Sequence, residues 1–260
     1  KKNYNRLPDA VIVEGPLAGG HLAWREEAEA NDKKNDLKVL VAEVMRVAKA
    51  YGDIPVIAAG GVYGKADIED YIDQGCVGVQ MGTRFLATFE SGASDSYKQA
   101  IVDSDTDDIT LSKRPGSPCG LLFRVLKKSP FYEQSLAKAR PVDCSKALLL
   151  NRKGECKAKE NPEEYFCICN GLLAASDHEP AEKELYTVGS IADKITKIIS
   201  VKDLMSECFA PNFACLTDLN VHCLKCVCDR LDIPFDYSIF SKMELELGSV
   251  EEPGDWALRT

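Results

Sequence analysis

Three short stretches of this chain combine glycine with residues able to do chemistry. Pro55-Val-Ile-Ala-Ala-Gly-Gly61 and Gly78-Val-Gln-Met-Gly-Thr-Arg-Phe85 are apolar runs that finish in bare backbone amides, the donors a phosphate group needs. Either glycine pair alone would do no more than make a tight turn. Gly60-Gly61 and Gly82-Thr83 on consecutive strands read together as a cradle for one phosphate dianion, with the Thr83 hydroxyl as a further donor. Gln80 and Met81, just before the second pair, could line a ring-shaped ligand, and Met81 would serve equally well as packing. The third stretch is Glu14-Gly-Pro-Leu-Ala-Gly-Gly-His21, containing one of the chain's three histidines. A histidine on a glycine-rich turn at the active end of a parallel sheet is placed for proton transfer near neutral pH. Glu14, on the same strand end, either contacts a ligand or pairs with Arg25.

The elements that must position these groups follow from periodicity. Asp9–Glu14 reads as a strand broken at Gly15-Pro16, and the polar stretch from Leu17 to Asn35 reads as a long loop. Leu37–Tyr51 has apolar residues at helical spacing and stops at Gly52-Asp53. Strand Val56–Ala59, helix Lys65–Gln74 and strand Val77–Met81 come next. The order is strand, loop, helix, strand, helix, strand, with nearly continuous apolar strands. That is the pattern of a parallel sheet. Beyond Phe89, Tyr97–Val102 reads as a helix, Asp103–Pro118 as polar and turn-rich, Cys144–Asp177 as irregular, and Ile191–Met205 as helical. Composition shifts again from Cys208.

The chain has 260 residues, 45% hydrophobic and 28% charged, the composition of an ordinary globular protein of one or two domains. A net charge of -9 offers no basic stripe for a nucleic acid. No apolar run has the length of a membrane span, and the expected location is cytoplasmic. Eleven cysteines are present, yet the first 118 residues hold only Cys76. Cys144, Cys156, Cys167 and Cys169 could ligate zinc or an iron-sulfur cluster, but their spacing matches no standard site, and a structural role without metal is the reading preferred. Cys223, Cys226 and Val227 share a helical face with Leu219, so Cys223-Leu-Lys-Cys226-Val-Cys228 reads as buried core thiols.

The three strand-end motifs resemble those of the nitronate monooxygenase family, formerly called 2-nitropropane dioxygenases, which also includes flavin-dependent enoyl-acyl-carrier-protein reductases. The resemblance covers roughly residues 1–206, with softer signals at Ser117–Val125 and Tyr186–Met205. It implies a TIM barrel, (β/α)8, of which this chain holds the equivalents of strands 6 to 8. An irregular, cysteine-bearing lid and a small α/β tail follow. The implied cofactor is FMN, with His21 as the catalytic histidine. Gly60, Gly61, Gly82 and Thr83 would hold its phosphate, while Glu14, Gly19, Gly20, Ala59, Gln80 and Met81 lie along it. The implied reaction is oxidation of alkyl nitronates by O2; the alternative is enoyl-thioester reduction with NAD(P)H as reductant. A further alternative is a non-catalytic remnant or interaction module.

A closed barrel takes ~250 residues, and few precede the His21 strand here, so strands 1 to 5 are expected to be absent. The expectation is a C-terminal fragment, a truncated or split gene, or half of an assembly whose partner chain supplies the missing strands to bind a small-molecule substrate. The expected divisions are 1–90 for the barrel part, 91–206 for the lid and 207–260 for an unrelated tail. The tail, from Phe213-Ala-Cys-Leu to Asp255-Trp-Ala-Leu258, weakly resembles WbqC-like proteins.

Overall fold

The computed structural model describes residues 6–136, 155–178 and 181–209. Ala10–Cys208 forms one compact unit, and the described residues outside it are 6–9 and Phe209. Within residues 6–9, Arg6 and Asp9 form an ion pair at 2.7 Å.

The compact unit begins with β1 (Val11–Glu14), β2 (Gly20–His21), α1 (Glu27–Ala30), α2 (Leu37–Ala50), β3 (Val56–Ala59), α3 (Lys65–Asp73), β4 (Gly78–Gln80) and α4 (Thr83–Leu86). Then come α5 (Asp95–Val102), β5 (Ile109–Ser112), β6 (Phe123–Leu126), α6 (Pro130–Leu136), α7 (Lys157–Glu160), α8 (Ile168–Ala174) and α9 (Val201–Phe209). Two three-stranded sheets result. One is parallel with order β1-β3-β4, and the other is antiparallel with order β2-β6-β5.

In the parallel sheet Val13 faces the same side as Ala58 and Val79, while Glu14, Ala59 and Gln80 share the opposite side. Val13, Val56 and Ala58 are buried, as is Val41 of α2, the helix packed on β1 and β3. The Asp36 carboxylate caps that helix by accepting from Lys38 N–H. On the other side Ile12 is 53% exposed. Residue pairs Val11–Val56, Ile12–Ile57 and Glu14–Ala59 fix a register that brings the ends of β1, β3 and β4 to one edge.

The elements expected on this sheet are present within a residue or two of their expected bounds. The segment read as a loop from Leu17 to Asn35 is different: it holds β2, α1 and a 3-10 turn at Lys33–Asn35. β2 has only two residues and exists because Gly20 and His21 pair with Arg124 and Phe123 of β6, a partner distant in sequence. The polar stretch after Asp103 likewise contains β5, stitched to β6 from Ile109–Leu126 to Ser112–Phe123. The irregular segment includes α7 and α8 in its described part.

Ile191–Met205 is not one helix. A 3-10 turn occupies Ala192–Lys194, Ile195 is extended, and α9 begins only at Val201. Ile191, Ile195 and Ile199 are all buried, so spacing of four served burial of an extended run rather than a helical face. Ile199 N–H donates to the Ala87 carbonyl and bridges Thr88, which takes the backbone away from helical bonding. Among the described residues no helix is long and apolar enough to cross a membrane. The 207–260 tail beyond Phe209, Cys144 and the Cys223–Cys228 group lie outside the described residues.

Candidate active site

The edge where β1, β3 and β4 end is hollow. A cavity of about 190 Å3 is lined by Glu14, by Ala18 and Gly19 of the turn after β1, by Ala59, Gly60, Gly61 and Val62 after β3, and by Gln80, Met81, Gly82 and Thr83 after β4. Leu86, Thr187, Gly189 and Ile191 complete the wall. Nine residues singled out in the sequence, namely Glu14, Gly19, Ala59, Gly60, Gly61, Gln80, Met81, Gly82 and Thr83, therefore meet around one space.

Gly60 and Gly61 adopt φ of +93° and +84°, a region where side chains are strained. A Cβ at Gly60 would lie 3.0 Å from Ala18 N, and one at Gly61 would lie 2.8 Å from Leu17 Cβ. The turn after β3 is thus pressed against the turn after β1, which leaves only backbone facing the cavity there. Gly19 is equally confined: a Cβ would come within 2.6 Å of the Val188 carbonyl carbon. Gly82 differs, since its φ is -109° and a Cβ would meet nothing within 4 Å. Its lack of a side chain keeps space open and serves no conformational need.

Thr83 is buried, and its hydroxyl oxygen accepts from Gly189 N–H at 2.8 Å. That bond leaves the Thr83 proton to donate elsewhere. Arg84, the next residue, turns away from the cavity. Its guanidinium lies 4.4 Å from the centre of the Tyr63 ring and pairs with Glu207. Glu14 does not pair with Arg25, whose guanidinium instead reaches the carbonyls of Cys119 and Gly120 at 3.5 and 3.4 Å. Partial burial raises the Glu14 carboxyl above its ordinary 4.5.

His21 and its neighbour Gly20 are not part of the cavity wall. They sit on β2 in the antiparallel sheet, because the chain turns at Gly15-Pro16, where Ala18 N–H donates to the Gly15 carbonyl, and only then pairs with β6. The His21 ring meets the Phe123 ring edge to face, centroids 4.7 Å apart at 67°. Its Nε2 is 2.6 Å from Ser117 Oγ, and that oxygen is 3.0 Å from Cys119 Sγ. Although His21 is an exposed residue, the partial desolvation of its ring lowers the imidazole from its ordinary 6.5, which favours the neutral form.

Sequence reasoning assigned no role to Ser117, Thr187, Gly189 or Ile191. The polar segment Tyr186-Thr-Val-Gly-Ser190 has no periodicity to mark it, and only folding lays it across the turn after β1, where Ser190 N–H donates to the Leu17 carbonyl at 3.0 Å. Cys156 is buried and Cys167 and Cys169 are half-buried, and among the described residues no group of three or more His, Cys, Asp or Glu side chains could hold a metal.

A parallel sheet whose strand ends converge on a glycine-walled cavity, with a histidine one turn away, is the arrangement of the α/β proteins that place their ligand sites at the carboxyl ends of the strands. Comparison with known proteins narrows the class. Residues 1–210 match the sequence profile of the family described as nitronate monooxygenase, and the chain belongs to that family. A probable nitronate monooxygenase from Staphylococcus saprophyticus is 36% identical over 133 residues, 49% of this chain and 36% of that protein. Nitronate monooxygenase from Pseudomonas aeruginosa is 34% identical over 93 residues, 36% of this chain and 25% of that enzyme. The structure of FabK from Thermotoga maritima superposes with a TM-score of 0.54 at 28% identity, covering 82% of this chain and 57% of FabK. The matched region thus spans well under half the length of these two curated relatives.

Proposed function

We propose that the cavity takes the phosphate end of FMN and that this chain contributes the phosphate grip and the base of a flavin-dependent oxidation of alkyl nitronates. The convergence of three strand ends on one cavity carries the reading, and family membership supports it. The residues present fit such a group. At about 190 Å3 the space is below the ~300–1,000 Å3 usual for whole ligands, so it suits the phosphate end while a ring would extend beyond it.

FMN, when bound, would supply the redox-active ring for electron transfer from the substrate, with O2 as the oxidant that regenerates it. The backbone at Gly60, Gly61 and Gly82, together with the Thr83 hydroxyl, would hold the phosphate, with Ala59, Gly19 and Gly20 beside the chain that follows it. Gln80, Met81 and Glu14 would border the ring. His21, its imidazole held toward the neutral form by partial desolvation, would take the proton from the carbon bearing the nitro group of a neutral nitroalkane, giving the nitronate that is then oxidised. For Nδ1 to take that proton, Nε2 carries its own and donates it to Ser117 Oγ before and after the transfer, which holds the imidazole in one orientation. The parallel strands are read as part of a (β/α)8 barrel, and a segment or partner chain adding parallel strands would extend its wall.

Titrating the purified protein with FMN and following flavin absorbance and fluorescence tests the grip. Saturable uptake is expected, and protein that cannot be loaded with FMN would sink the proposal. Nitronate-dependent oxygen uptake, measured against NADH-dependent reduction of a crotonyl thioester, then separates nitronate oxidation from the enoyl-reductase alternative. His21→Ala is expected to abolish the first activity while FMN stays bound.

A further inference from the structure

β6 carries a buried arginine with little to hold it. Arg124 is 7% exposed, and its Nη1 donates to the Ala18 carbonyl oxygen. Among the described residues that is the guanidinium's one hydrogen bond, and no carboxylate lies within ion-pair distance; Glu27 is the acid whose field reaches it. Burial lowers its pKa to about 10, still far above neutral pH, so the group stays charged. A buried charge with so few partners is unfavourable for stability, and removing it usually harms a protein little unless the charge has a task.

Its acceptor identifies the task. Ala18 and Gly19 both line the cavity, and the peptide unit joining them is trans, Arg114-Pro115 being the cis bond among the described residues. A trans unit points its N–H opposite to its carbonyl. A guanidinium that draws the Ala18 oxygen toward itself therefore fixes the peptide plane and turns the Gly19 N–H away from β6. Hydrogen bonding to a cation also polarises the peptide and strengthens that N–H as a donor. Gly19 has no freedom to compensate, backed as it is against Val188 and Gly189. Two residues further on, His21 lies opposite Phe123, the neighbour of Arg124.

We propose that Arg124 is the positioning residue of the turn from Ala18 to His21. Through the Ala18 carbonyl it sets the Gly19 amide in the cavity wall and the His21 ring on Phe123 and Ser117. The proposal rests on the reading of this cavity and His21 as one site, but its primary readout needs neither flavin nor turnover. The groups around His21 are the Phe123 ring and, on the loop before β6, Ser117 and Cys119, with Arg25 against that loop.

With three histidines in the chain, imidazole 15N resonances can be assigned with His21→Asn as reference. In the parent protein the His21 ring is expected to show a single tautomer at pH values where it is neutral. Arg124→Met keeps length without donors, and is expected to give a mixed tautomer and about tenfold weaker FMN binding, the scale of one charge-assisted bond. Arg124→Lys retains one donor for the one carbonyl and is expected to keep the single tautomer, with FMN affinity within about threefold of the parent. A folded Arg124→Met with the parent's tautomer signature and FMN affinity overturns the proposal. So does a folded Arg124→Lys that loses both, a result that stands even where Arg124→Met fails to fold. Failure of the parent to bind FMN would overturn the proposed function, and the tautomer comparison would still decide the role of Arg124.

Discussion

His21 and Glu14 titrate in opposite senses, and that makes each testable by pH. For His21 the unfolded chain binds the proton more readily than the folded one, since desolvation lowers the folded value. Stability is therefore unaffected by this group above its ordinary 6.5 and declines as pH falls from there through the lower folded value. His21→Asn is expected to flatten that acid-side decline in urea midpoints. Glu14 works the other way: its contribution is fully present below 4.5 and is lost as pH rises through its elevated folded value. Glu14→Gln is expected to raise the urea midpoint at neutral pH and leave it unchanged below pH 4.5. The same change removes a negative charge from the cavity wall, so FMN titration at neutral pH should show tighter binding.

At the scale of elements, the turns after β3 and β4 use glycine for different reasons, and alanine substitution separates them. Gly61→Ala places a Cβ at positive φ and against Leu17, so a loss of about 1–3 kcal/mol is expected in thermal or urea unfolding. Gly82→Ala has ordinary backbone and open space, so the fold should be indifferent while FMN affinity falls from crowding of the cavity. α4 also separates two environments. Thr83 and Leu86 line the main cavity, whereas Arg84 and Ala87 face a smaller one of about 80 Å3 with Tyr63, Lys197 and Glu207. Arg84 thereby couples α4 to α9 through Glu207, whose carboxyl it holds below the ordinary range.

For the compact unit as a whole, the segment from Tyr186 to Ile191 joins the two sheets. Leu126 N–H donates to the Tyr186 carbonyl, Val125 bridges Thr187, Gly189 N–H donates to Thr83, and Ser190 N–H to Leu17. The Tyr97 hydroxyl donates to the Thr187 carbonyl, and its ring stacks on Tyr186 with centroids 4.6 Å apart. A core of Ala87, Ile101, Leu126, Val188 and Ile195 surrounds this strap. Thr83→Val keeps the shape and removes the acceptor, leaving a buried Gly189 N–H unsatisfied. A loss of about 1–3 kcal/mol is expected by urea denaturation, with Thr83→Ser restoring most of it.

What the amino-acid order determined by itself was local. Apolar runs closed by Gly-Gly or Gly-Thr, and a helix-length segment between them, are enough to specify β3, α3 and β4 and to place phosphate-type donors at their ends. Parallel pairing then forces those ends to one edge. The family resemblance was legible on the same residues. Contacts distant in sequence decided the rest. β2, with its two residues, has no pattern of its own and needs β6; Ile191, Ile195 and Ile199 mimic a helix, yet their backbone bonds to Ala87 and Thr88. His21 was visible as a histidine after glycines, but its neutral setting, its Ser117 partner and its place outside the cavity wall come from folding a segment about a hundred residues away onto it. Side-chain chemistry is written in the sequence, whereas desolvation and hydrogen-bond partners are properties of three-dimensional neighbours, and those arise only when the two sheets pack.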